Sequence, residues 1–538
     1  MVFIDGFCGR WRGPGCVLDG VCLLRCCAQR HSEHNFAFKG KGAQGRWNIG
    51  QAYPWQMAFI GLIVVNMACN KGLQIDFVGE VAEVDERYLS VALDLGQVAG
   101  TQFWNPDGTS DDMETDVDPY DFDRSGLVTL ADALAPALLR IGGTEADRLY
   151  YALDGAELDE LPEGYETVLS ADRVDGFGEF ALETGMDLLF TLNAGPGPRN
   201  ESGEWTEHQA TALMRYVAEQ GYPVVAWELG NEPNAWPLVF GESVSSEQYG
   251  LDMITLAAAR DEHSPGAQVL GPATAYWPVT GEFIEYLPGA VEAAGAALDV
   301  ATWHYYPTQS DRCPAASRPA ELETLVEPAN LDEVLVWSGQ VAQALADADS
   351  DAQMWLGETG SAQCGGQPGV SGRWATSFWW MDQLGLLATQ NNKIMVRQTL
   401  SGSDYGLVND DTLEPTPEYW LSLLFKRHMG SSVLEVEVAE AEPSLRVYAH
   451  CHPEEGVGLL ALNLGTSPVD LDVVGEMWIL EAADLDSSEV LLNGETIEWS
   501  GQGPLPALEG EFGRMLRLPG YGIAFAQIVD TGLCAQAE

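Results

Sequence analysis

The sequence has few positive charges and lacks long hydrophobic runs in its main part. Its 26 Lys and Arg face 81 Asp and Glu, which gives a formal net charge of −55. This balance excludes nucleic acid as a partner, because phosphate binding requires a high density of Lys and Arg. No internal run reaches the roughly 18 apolar residues of a membrane span, so we expect no transmembrane domain. The 17 Trp, 17 Tyr and 17 Phe exclude a disordered acidic chain.

The main part also lacks the usual cofactor and metal patterns. Gly142-Gly143 has no third glycine at the offset that a dinucleotide-binding loop requires. The segment His450-Cys451-His452 could be read as a metal cluster. We nevertheless expect no metal and no cofactor, because the chemistry inferred below needs neither.

Residues 1–56 differ in composition from the rest of the chain. They carry a net charge of +4, which leaves −59 on the remainder, and they hold five of the ten cysteines. Their cysteine spacing fits no zinc pattern, so a small metal or disulfide module is a weaker reading than a disordered leader or an overlong reading frame. Residues 57–69 resemble a bacterial lipoprotein signal ending at Cys69, although a buried strand is the alternative. We therefore expect residues 1–70 to be a leader and the protein to be exported.

Eight short apolar runs alternate with amphipathic helical stretches between residues 88 and 411. The runs are 88–94, 138–143, 188–194, 224–232, 269–275, 300–306, 354–359 and 393–400. Eight such alternations are the number in an α/β fold of the (β/α)8 TIM barrel type. A doubly wound sheet is the competing topology, but the phosphate-loop glycines typical of it are missing.

The pattern of predicted elements changes in residues 412–538. A helical segment is followed by alternating runs separated by turn residues such as Asn493-Gly494, which is typical of an antiparallel β-sandwich. We assign residues 71–87 to a strand that joins this sandwich, and residues 88–411 to the catalytic barrel.

Two glutamates stand at the ends of predicted barrel strands. Glu232 lies in the sequence Trp-Glu-Leu-Gly-Asn-Glu-Pro-Asn, residues 227–234, and Glu358 lies in Trp-Leu-Gly-Glu-Thr-Gly, residues 355–360. Residues at the C-terminal ends of barrel strands face the active site. A pair of carboxylic acids is what glycoside hydrolysis requires, one protonated and one ionised. Strand alternation predicts Glu228 on the same face, but that residue alone is better explained as a structural or solvated acid.

Several further motifs accompany this pair in the same order along the chain. They are residues 139–144, 192–194, 303–306, 396–398 and 419–426. With these motifs the sequence resembles glycoside hydrolase family 79, the heparanase-like and β-glucuronidase enzymes, from about Gln74 to Cys534. The Asn-Glu-Pro motif alone would indicate only the larger clan of retaining barrel glycosidases.

The resemblance implies a retaining hydrolase of β-glucuronides in glycans that contain glucuronic acid. It implies that Glu232 is the acid/base, that Glu358 is the nucleophile, and that Asn231 binds the sugar 2-hydroxyl. The remaining substrate-binding residues that we expect are Asp94, Thr144, Asn193, His304, Tyr306, Gly365, Gly366, Gln398, Ser403 and Tyr405. For His304, support of the barrel core is an alternative. The resemblance also implies a Cys451–Cys534 disulfide.

The sequence departs from the mammalian members of the family around the predicted cleft. The family's basic residues after strands four and five, which engage sulfates, are replaced by segments 235–238 and 276–278. Their Trp and Tyr residues suit stacking on uncharged sugars. We therefore expect a preference for unsulfated or sparsely sulfated substrates, with Arg199, Arg312, Arg318 and Arg373 as the residues that could oppose it.

Two more expectations concern covalent links and assembly. Cys313 and Cys364 lie on loops after neighbouring barrel strands, so a second disulfide between them is plausible, and both bridges fit an oxidising compartment. We expect a monomer. Two alternatives to the β-glucuronidase assignment remain: a catalytically inactive carbohydrate-binding relative, and a retaining clan member that acts on another β-glycan.

Overall fold

The computed structural model describes residues 72–529 and 532–534, except for residues 107, 156–157 and 159. The predicted leader, including the signal-like segment 57–69, lies outside the described residues. None of the described helices is long and apolar enough to cross a membrane.

The first part of the described chain alternates strands and helices. In chain order its elements are β1 (Ile75–Glu83), β2 (Leu89–Asp94), α1 (Leu95–Ala99), β3 (Gln102–Trp104), β4 (Glu114–Asp116), α2 (Ser125–Asp132), β5 (Leu138–Gly142), β6 (Leu149–Ala152), β7 (Thr167–Ser170), α3 (Ala171–Thr184), β8 (Asp187–Leu192), α4 (His208–Gln220), β9 (Val224–Leu229), α5 (Trp236–Val239), α6 (Ser246–His263), β10 (Gln268–Trp277), β11 (Gly281–Glu282), α7 (Leu287–Ala294), β12 (Val300–Tyr305), α8 (Pro328–Leu331), α9 (Glu333–Asp347), β13 (Gln353–Thr359), α10 (Trp374–Thr389) and β14 (Asn392–Arg397). Short 3-10 turns span Thr144–Arg148, Gly295–Ala297 and Glu323–Val326.

The last part of the chain is one helix followed by strands. Its elements are α11 (Pro417–His428), β15 (Ser432–Val438), β16 (Leu445–Cys451), β17 (Val457–Asn463), β18 (Val469–Leu471), β19 (Gly475–Glu481), β20 (Leu491–Leu492), β21 (Glu495–Thr496), β22 (Glu511–Gly513), β23 (Leu516–Leu518) and β24 (Ile523–Ile528).

Eight parallel strands form a closed barrel. Their order is β2, β5, β8, β9, β10, β12, β13 and β14, and β14 pairs in parallel with β2 to close the circle. Strands such as β2, β5 and β12 are buried at every position, as expected for parallel strands covered by helices on the outside and filled by side chains on the inside. The predicted fold class is confirmed, and each of the eight predicted runs overlaps one barrel strand.

The C-terminal domain consists of two antiparallel layers, one much larger than the other. Its large sheet runs β1-β15-β16-β17-β24-β19-β20-β21, with β22 also paired to β19, and the small second layer consists of β18 and β23. Leu471, Leu516 and Leu518 of the small layer share a hydrophobic core with residues of the large sheet. Strand β1 pairs with β15, so the segment before the barrel belongs structurally to this domain.

Helices α10 and α11 fill the space between the barrel and the large sheet. Almost every residue of α10 is buried, including Trp374, Trp379 and Trp380. The helix contacts barrel strand β14 on one side and β1, β15, β16 and β17 on the other. A helix that is apolar all round is stable only when it is covered on all sides, so the two domains share one continuous core.

Both expected disulfides are present. Cys313–Cys364 joins the loops that follow β12 and β13, and Cys451–Cys534 joins β16 to the C-terminal segment, each with a Cα–Cα distance of 5.5 Å. The first bridge lies immediately before Gly365, so it fixes a loop at the mouth of the barrel.

Three histidines are buried where α11 meets the large sheet. His428 Nδ1 lies 3.1 Å from His452 Nε2, and the His428 ring packs 4.0 Å from the ring of Trp478. Burial, together with the charges of His452 and Arg427, lowers the pKa of His428 to about 3, and burial lowers the pKa of His450 to about 4. These rings therefore stay neutral in the folded protein.

This cluster should make the fold sensitive to acid. The unfolded chain binds a proton at each histidine below the ordinary pKa of about 6.5, whereas the folded chain does not, so stability is lost as the pH falls through that value. From pH 7 to pH 5 the loss should be about 2 kcal/mol for His428 alone. In urea unfolding, His428→Gln should reduce the pH-dependent loss by about that amount, whereas the exposed control His208→Gln should leave it unchanged. A His428→Gln protein as acid-sensitive as the parent would contradict this assignment.

Candidate active site

The loop that carries Glu232 begins where β9 ends at Leu229. Gly230 and Glu232 both adopt left-handed backbone conformations, with φ of 69° and 50°. The expected strand alternation therefore stops before Glu232, whose carboxylate is partly exposed, while Glu228 is fully buried beneath it. A left-handed glutamate is unfavourable and persists only where its surroundings hold it. Here the Glu232 amide donates to the Ala273 carbonyl at 3.1 Å.

Asp147 holds this loop from below. Its buried carboxylate accepts hydrogen bonds from the amides of Ala194 and Asn231, both at 2.9 Å, and so ties together the loops after β8 and β9. On the other side of the loop, the Trp236 indole donates to the Asn231 carbonyl at 2.9 Å. The acid-bearing loop is thus fixed by side chains on both sides.

Glu358 lies at the C-terminal end of β13, buried at the floor of the barrel mouth. The Tyr306 hydroxyl donates to its Oε1 at 2.6 Å, and Arg140 Nη1 donates to its Oε2 at 2.7 Å. Burial alone would raise the pKa of Glu358, but the charges of His304 and Arg140 and these hydrogen bonds hold it below its ordinary value. Glu358 is therefore maintained as a carboxylate.

Glu232 and Glu358 face each other across His304. The His304 Nδ1 is 3.0 Å from Glu232 Oε1 and 3.9 Å from Glu358 Oε2. One oxygen of each glutamate and one imidazole nitrogen all lie within 4.8 Å of one another. The two acids predicted from the sequence are therefore brought together, and His304 contacts the site rather than only the barrel core.

These three residues are the one group of at least three potential metal ligands within the part of the chain that the structure describes. Both oxygens of Glu358 already accept hydrogen bonds, one of them from a guanidinium. A cation between the glutamates would lie close to the charge of Arg140, which it would repel. The cluster fits a pair of acids better than a metal site.

Arg140 joins three groups of the site from β5. Its Nε donates to Glu228 at 2.9 Å, its Nη1 to Glu358 at 2.7 Å, and its Nη2 to the Asn231 side-chain oxygen at 2.8 Å. Glu228 also accepts from the Thr191 hydroxyl at 2.8 Å. Glu228 is thus a structural acid that balances the charge of the buried guanidinium. A structural role is one of the two explanations that the sequence favoured for this residue.

Two loops form a wall beside Glu358. Gly365 and Gly366 have φ of 82° and 83°, and a Cβ on Gly365 would come within 2.6 Å of Ser403 Oγ and of Trp104. Only glycine permits both this backbone and this close approach. The Ser403 hydroxyl donates to the Gly365 carbonyl at 2.6 Å, which locks the two loops together.

Aromatic and acidic side chains complete the wall. Tyr405 stacks on Tyr306 with ring centroids 6.4 Å apart. Asp94 caps α1 by accepting from the Gly96 amide, and Gln398 Nε2 lies 3.4 Å from its other oxygen. Burial, reinforced by the charge of Glu358, raises the pKa of Asp94 to about 8, so near neutral pH it carries a proton that it can donate.

Thr144 and Asn193 occupy less direct positions. Thr144 begins the turn after β5 and is partly exposed. Asn193 is buried, and its side-chain amide donates to the Leu149 carbonyl and accepts from the Gly195 amide. These bonds shape the loop after β8, and binding of substrate by Asn193 stays a prediction.

Two of the three aromatic residues expected to replace basic ones also differ from expectation. Trp236 and Tyr276 are only 2% and 4% exposed. Trp236 holds the Asn231 carbonyl, and Tyr276 packs edge-on against Trp303. Both are structural, because their rings are buried inside the protein rather than laid across the cleft, whereas Trp277 is partly exposed.

Sequence reasoning did not assign Arg140 or Asp147. A signal for Arg140 exists, since it is a charged residue inside the otherwise apolar strand Leu138–Gly142 and a buried charge requires a partner. Asp147 offers no comparable signal, because it lies in a short turn of an acid-rich chain.

Comparisons with known proteins agree with this geometry. A family model described as Glycosyl hydrolase family 79, N-terminal domain, matches residues 71–385. Heparanase of Gallus gallus is 30% identical over 467 residues, covering 74% of this chain and 86% of that protein. Baicalin-beta-D-glucuronidase of Scutellaria baicalensis is 29% identical over 508 residues, covering 85% and 92%. The solved 4-O-alpha-L-rhamnosyl-beta-D-glucuronidase from Fusarium oxysporum shares the fold, with a TM-score of 0.60 over 85% of this chain and 100% of that one at 14% identity.

Removing the buried guanidinium should destabilise the protein in a way that a second substitution repairs. Arg140→Met leaves Glu228 and Glu358 without their cation and should lower the free energy of unfolding by about 3–5 kcal/mol. Adding Glu228→Gln removes one of these buried charges and should recover part of the loss. Urea unfolding at pH 7 measures both effects, and a double variant no more stable than Arg140→Met would contradict the assignment of Glu228 as the structural counter-ion.

Proposed function

Because the chain belongs to glycosyl hydrolase family 79, we propose that it is a retaining β-glucuronidase acting on glycans that contain glucuronic acid. The observation that carries the proposal is the pair Glu232 and Glu358, with one oxygen of each within 4.8 Å. Retaining glycosidases hold their two carboxyl groups about 5–5.5 Å apart, and inverting ones about 6.5–9.5 Å apart. The close pair supports retention.

Glu358 is the nucleophile in this mechanism. Arg140 and Tyr306 keep it ionised and direct one oxygen each, so the carboxylate is oriented before substrate binds. Its oxygen forms a bond to the anomeric carbon as the glycosidic bond breaks. The carboxylate loses negative charge during this step, and the hydrogen bond from the Tyr306 hydroxyl can adjust to that change.

Glu232 is the acid and then the base. Its proton passes to the leaving oxygen in the first step, and it takes a proton from water as that water attacks the anomeric carbon and releases Glu358. The His304 contact at 3.0 Å fixes the orientation of the carboxyl group for both transfers. The Asn231 oxygen is held by Arg140, which leaves its amide N–H groups for the sugar 2-hydroxyl.

The wall formed by Gly365, Gly366, Ser403 and Tyr405 is the proposed site for the glucuronate carboxylate. Burial raises the pKa of Tyr405 well above its ordinary value, so its hydroxyl remains a donor at every working pH. Main-chain amides in left-handed turns provide further donors for an anion. The Cys313–Cys364 bridge holds this loop in place, so the donors of the wall stay in position for a carboxylate.

We also propose that unsulfated chains are preferred. Three of the four arginines that could form a positive patch are bound to acids: Arg199 to Asp252 at 2.7 Å, Arg312 to Asp404 at 2.5 Å, and Arg318 to Glu333. Their charges are neutralised within the protein. A highly sulfated chain would therefore meet the repulsion of the acidic body with little local compensation.

Export of the mature protein is part of the same proposal. Both disulfides require an oxidising compartment to form and persist. An extracellular or envelope location would also give the enzyme access to polymeric glycans.

The identity of the substrate and the stereochemistry can be tested together. A chromogenic β-glucuronide should be hydrolysed much faster than the matching β-glucoside or β-xyloside, and NMR should show the β-anomer as the first product. Glu358→Gln should lower kcat by at least about 10⁴-fold and Glu232→Gln by about 10²–10⁴-fold, whereas the exposed control Glu219→Gln should retain full activity. An initial α-anomer, or faster hydrolysis of the xyloside, would overturn the mechanism or the substrate class.

The sulfation preference has its own test. Comparison of kcat/KM on heparan sulfate and on a desulfated, N-acetylated chain of equal length at physiological ionic strength should favour the desulfated chain. Because long-range repulsion is screened by salt, the difference should narrow as ionic strength rises. Higher efficiency on the sulfated chain would refute the proposal and point to Arg373, which lies at the start of α10.

A further inference from the structure

A second groove opens on the same face of the barrel as the two glutamates. It has a volume of about 520 Å³ and lies between the loops that follow β8 and β9. Its lining includes Arg199, Asn200, Trp236, Phe240, Glu242 and Gln248. None of these residues contacts Glu358, and of these only Trp236 also supports the loop that carries Glu232.

The groove is joined to the acid-bearing loop through Trp236. The indole donates to the Asn231 carbonyl at 2.9 Å, and it lies against Gly230, where an added Cβ would be 3.4 Å from the ring. One edge of the ring thus supports the catalytic loop and another lines the groove. Phe240 packs edge-on against Trp236 at 5.9 Å and is itself partly exposed.

Arg199 provides an unsatisfied donor at this site. Its side chain is 9% exposed, it bonds to Asp252, and it donates to the carbonyls of Ala194 and Gly203. Its Nη2 is buried and has no hydrogen-bond partner among the described residues. A buried donor without an acceptor is costly, and a ligand oxygen at this position would remove the cost.

The charge of the groove indicates which ligand it suits. The charge of Arg199 is balanced by Asp252 at 2.7 Å, and the exposed acids Glu201 and Glu242 add negative charge at the rim. A sulfate or a uronate would be repelled there. A partly exposed aromatic ring beside amide and hydroxyl groups is instead suited to a neutral sugar, and the volume lies within the ~300–1,000 Å³ of small-molecule sites.

We propose that this groove binds an uncharged sugar residue of the glycan chain whose glucuronide bond is cleaved at Glu232 and Glu358. The inference rests on the proposed function and extends it, because it makes the substrate a chain rather than a small glucuronide. Binding energy from this remote site should lower KM for chains that are long enough to reach it.

The test blocks the groove without touching the catalytic residues. Ser243 lies on the exposed rim, so Ser243→Trp should fill the groove. On an unsulfated heparosan hexasaccharide, in which glucuronic acid alternates with N-acetylglucosamine, kcat/KM should fall about tenfold, mainly through KM. Activity on a small chromogenic β-glucuronide should stay within about twofold. The control Ser488→Trp, an exposed serine of the C-terminal domain, should change neither activity.

Equilibrium binding separates this inference from the proposed catalytic function. In the full chain carrying Glu358→Gln, calorimetry should show heparosan hexasaccharide binding about tenfold more weakly when Ser243→Trp is added. This binding measurement tests the groove assignment even if the parent protein hydrolyses no β-glucuronide. Absence of hydrolysis would refute only the proposed function. Unchanged hexasaccharide binding and kinetics in Ser243→Trp, or an equal loss on the small glucuronide, would overturn the groove assignment.

Discussion

One buried guanidinium organises the candidate active site. Arg140 reaches Glu228, Glu358 and Asn231 from the middle of β5, and the side chains it binds come from β9, the loop after β9, and β13. The barrel must be closed for these strands to meet around one cation, and the cation in turn allows two carboxylates to be buried side by side. Burying such charges is tolerable only because each is paired and hydrogen-bonded. Orientation of the Glu358 carboxylate and stability of the barrel interior therefore have the same origin.

The same logic explains how a chain with a net charge of −55 can maintain an ordered acidic site. Three of its scarce arginines lie inside and fix the site: Arg199 holds the loop after β8, Arg312 the loop beside Gly366, and Arg140 the barrel strands that carry the acids. Little positive charge is left for the surface. These three cations act as internal connectors, and in the proposed function substrate recognition depends on neutral donors such as tyrosine hydroxyls and main-chain amides.

The fold could be predicted from the sequence largely because periodicity and burial are linked. Buried parallel strands read as short apolar runs, so all eight barrel strands were found, and Glu232 and Glu358 followed from their places at strand ends. Contacts that depend on loop direction could not be predicted this way. Trp236 and Tyr276 appeared free to stack on sugar but are buried, and Asp147 acts from a turn without periodicity. The thin second layer of the sheet domain, β18 and β23, likewise depends on long-range packing.

The central helix α10 has a consequence for how this protein can be divided. The buried residues of α10 pack against the barrel on one side and the large sheet on the other. Separating the two domains would therefore expose apolar surface to water. The first strand of the sheet, β1, also precedes the barrel in the chain, so a cut on either side of the barrel removes part of the sheet or exposes α10. The barrel is consequently not an exchangeable module, and variants with altered specificity will have to be built by replacing loops within the intact chain.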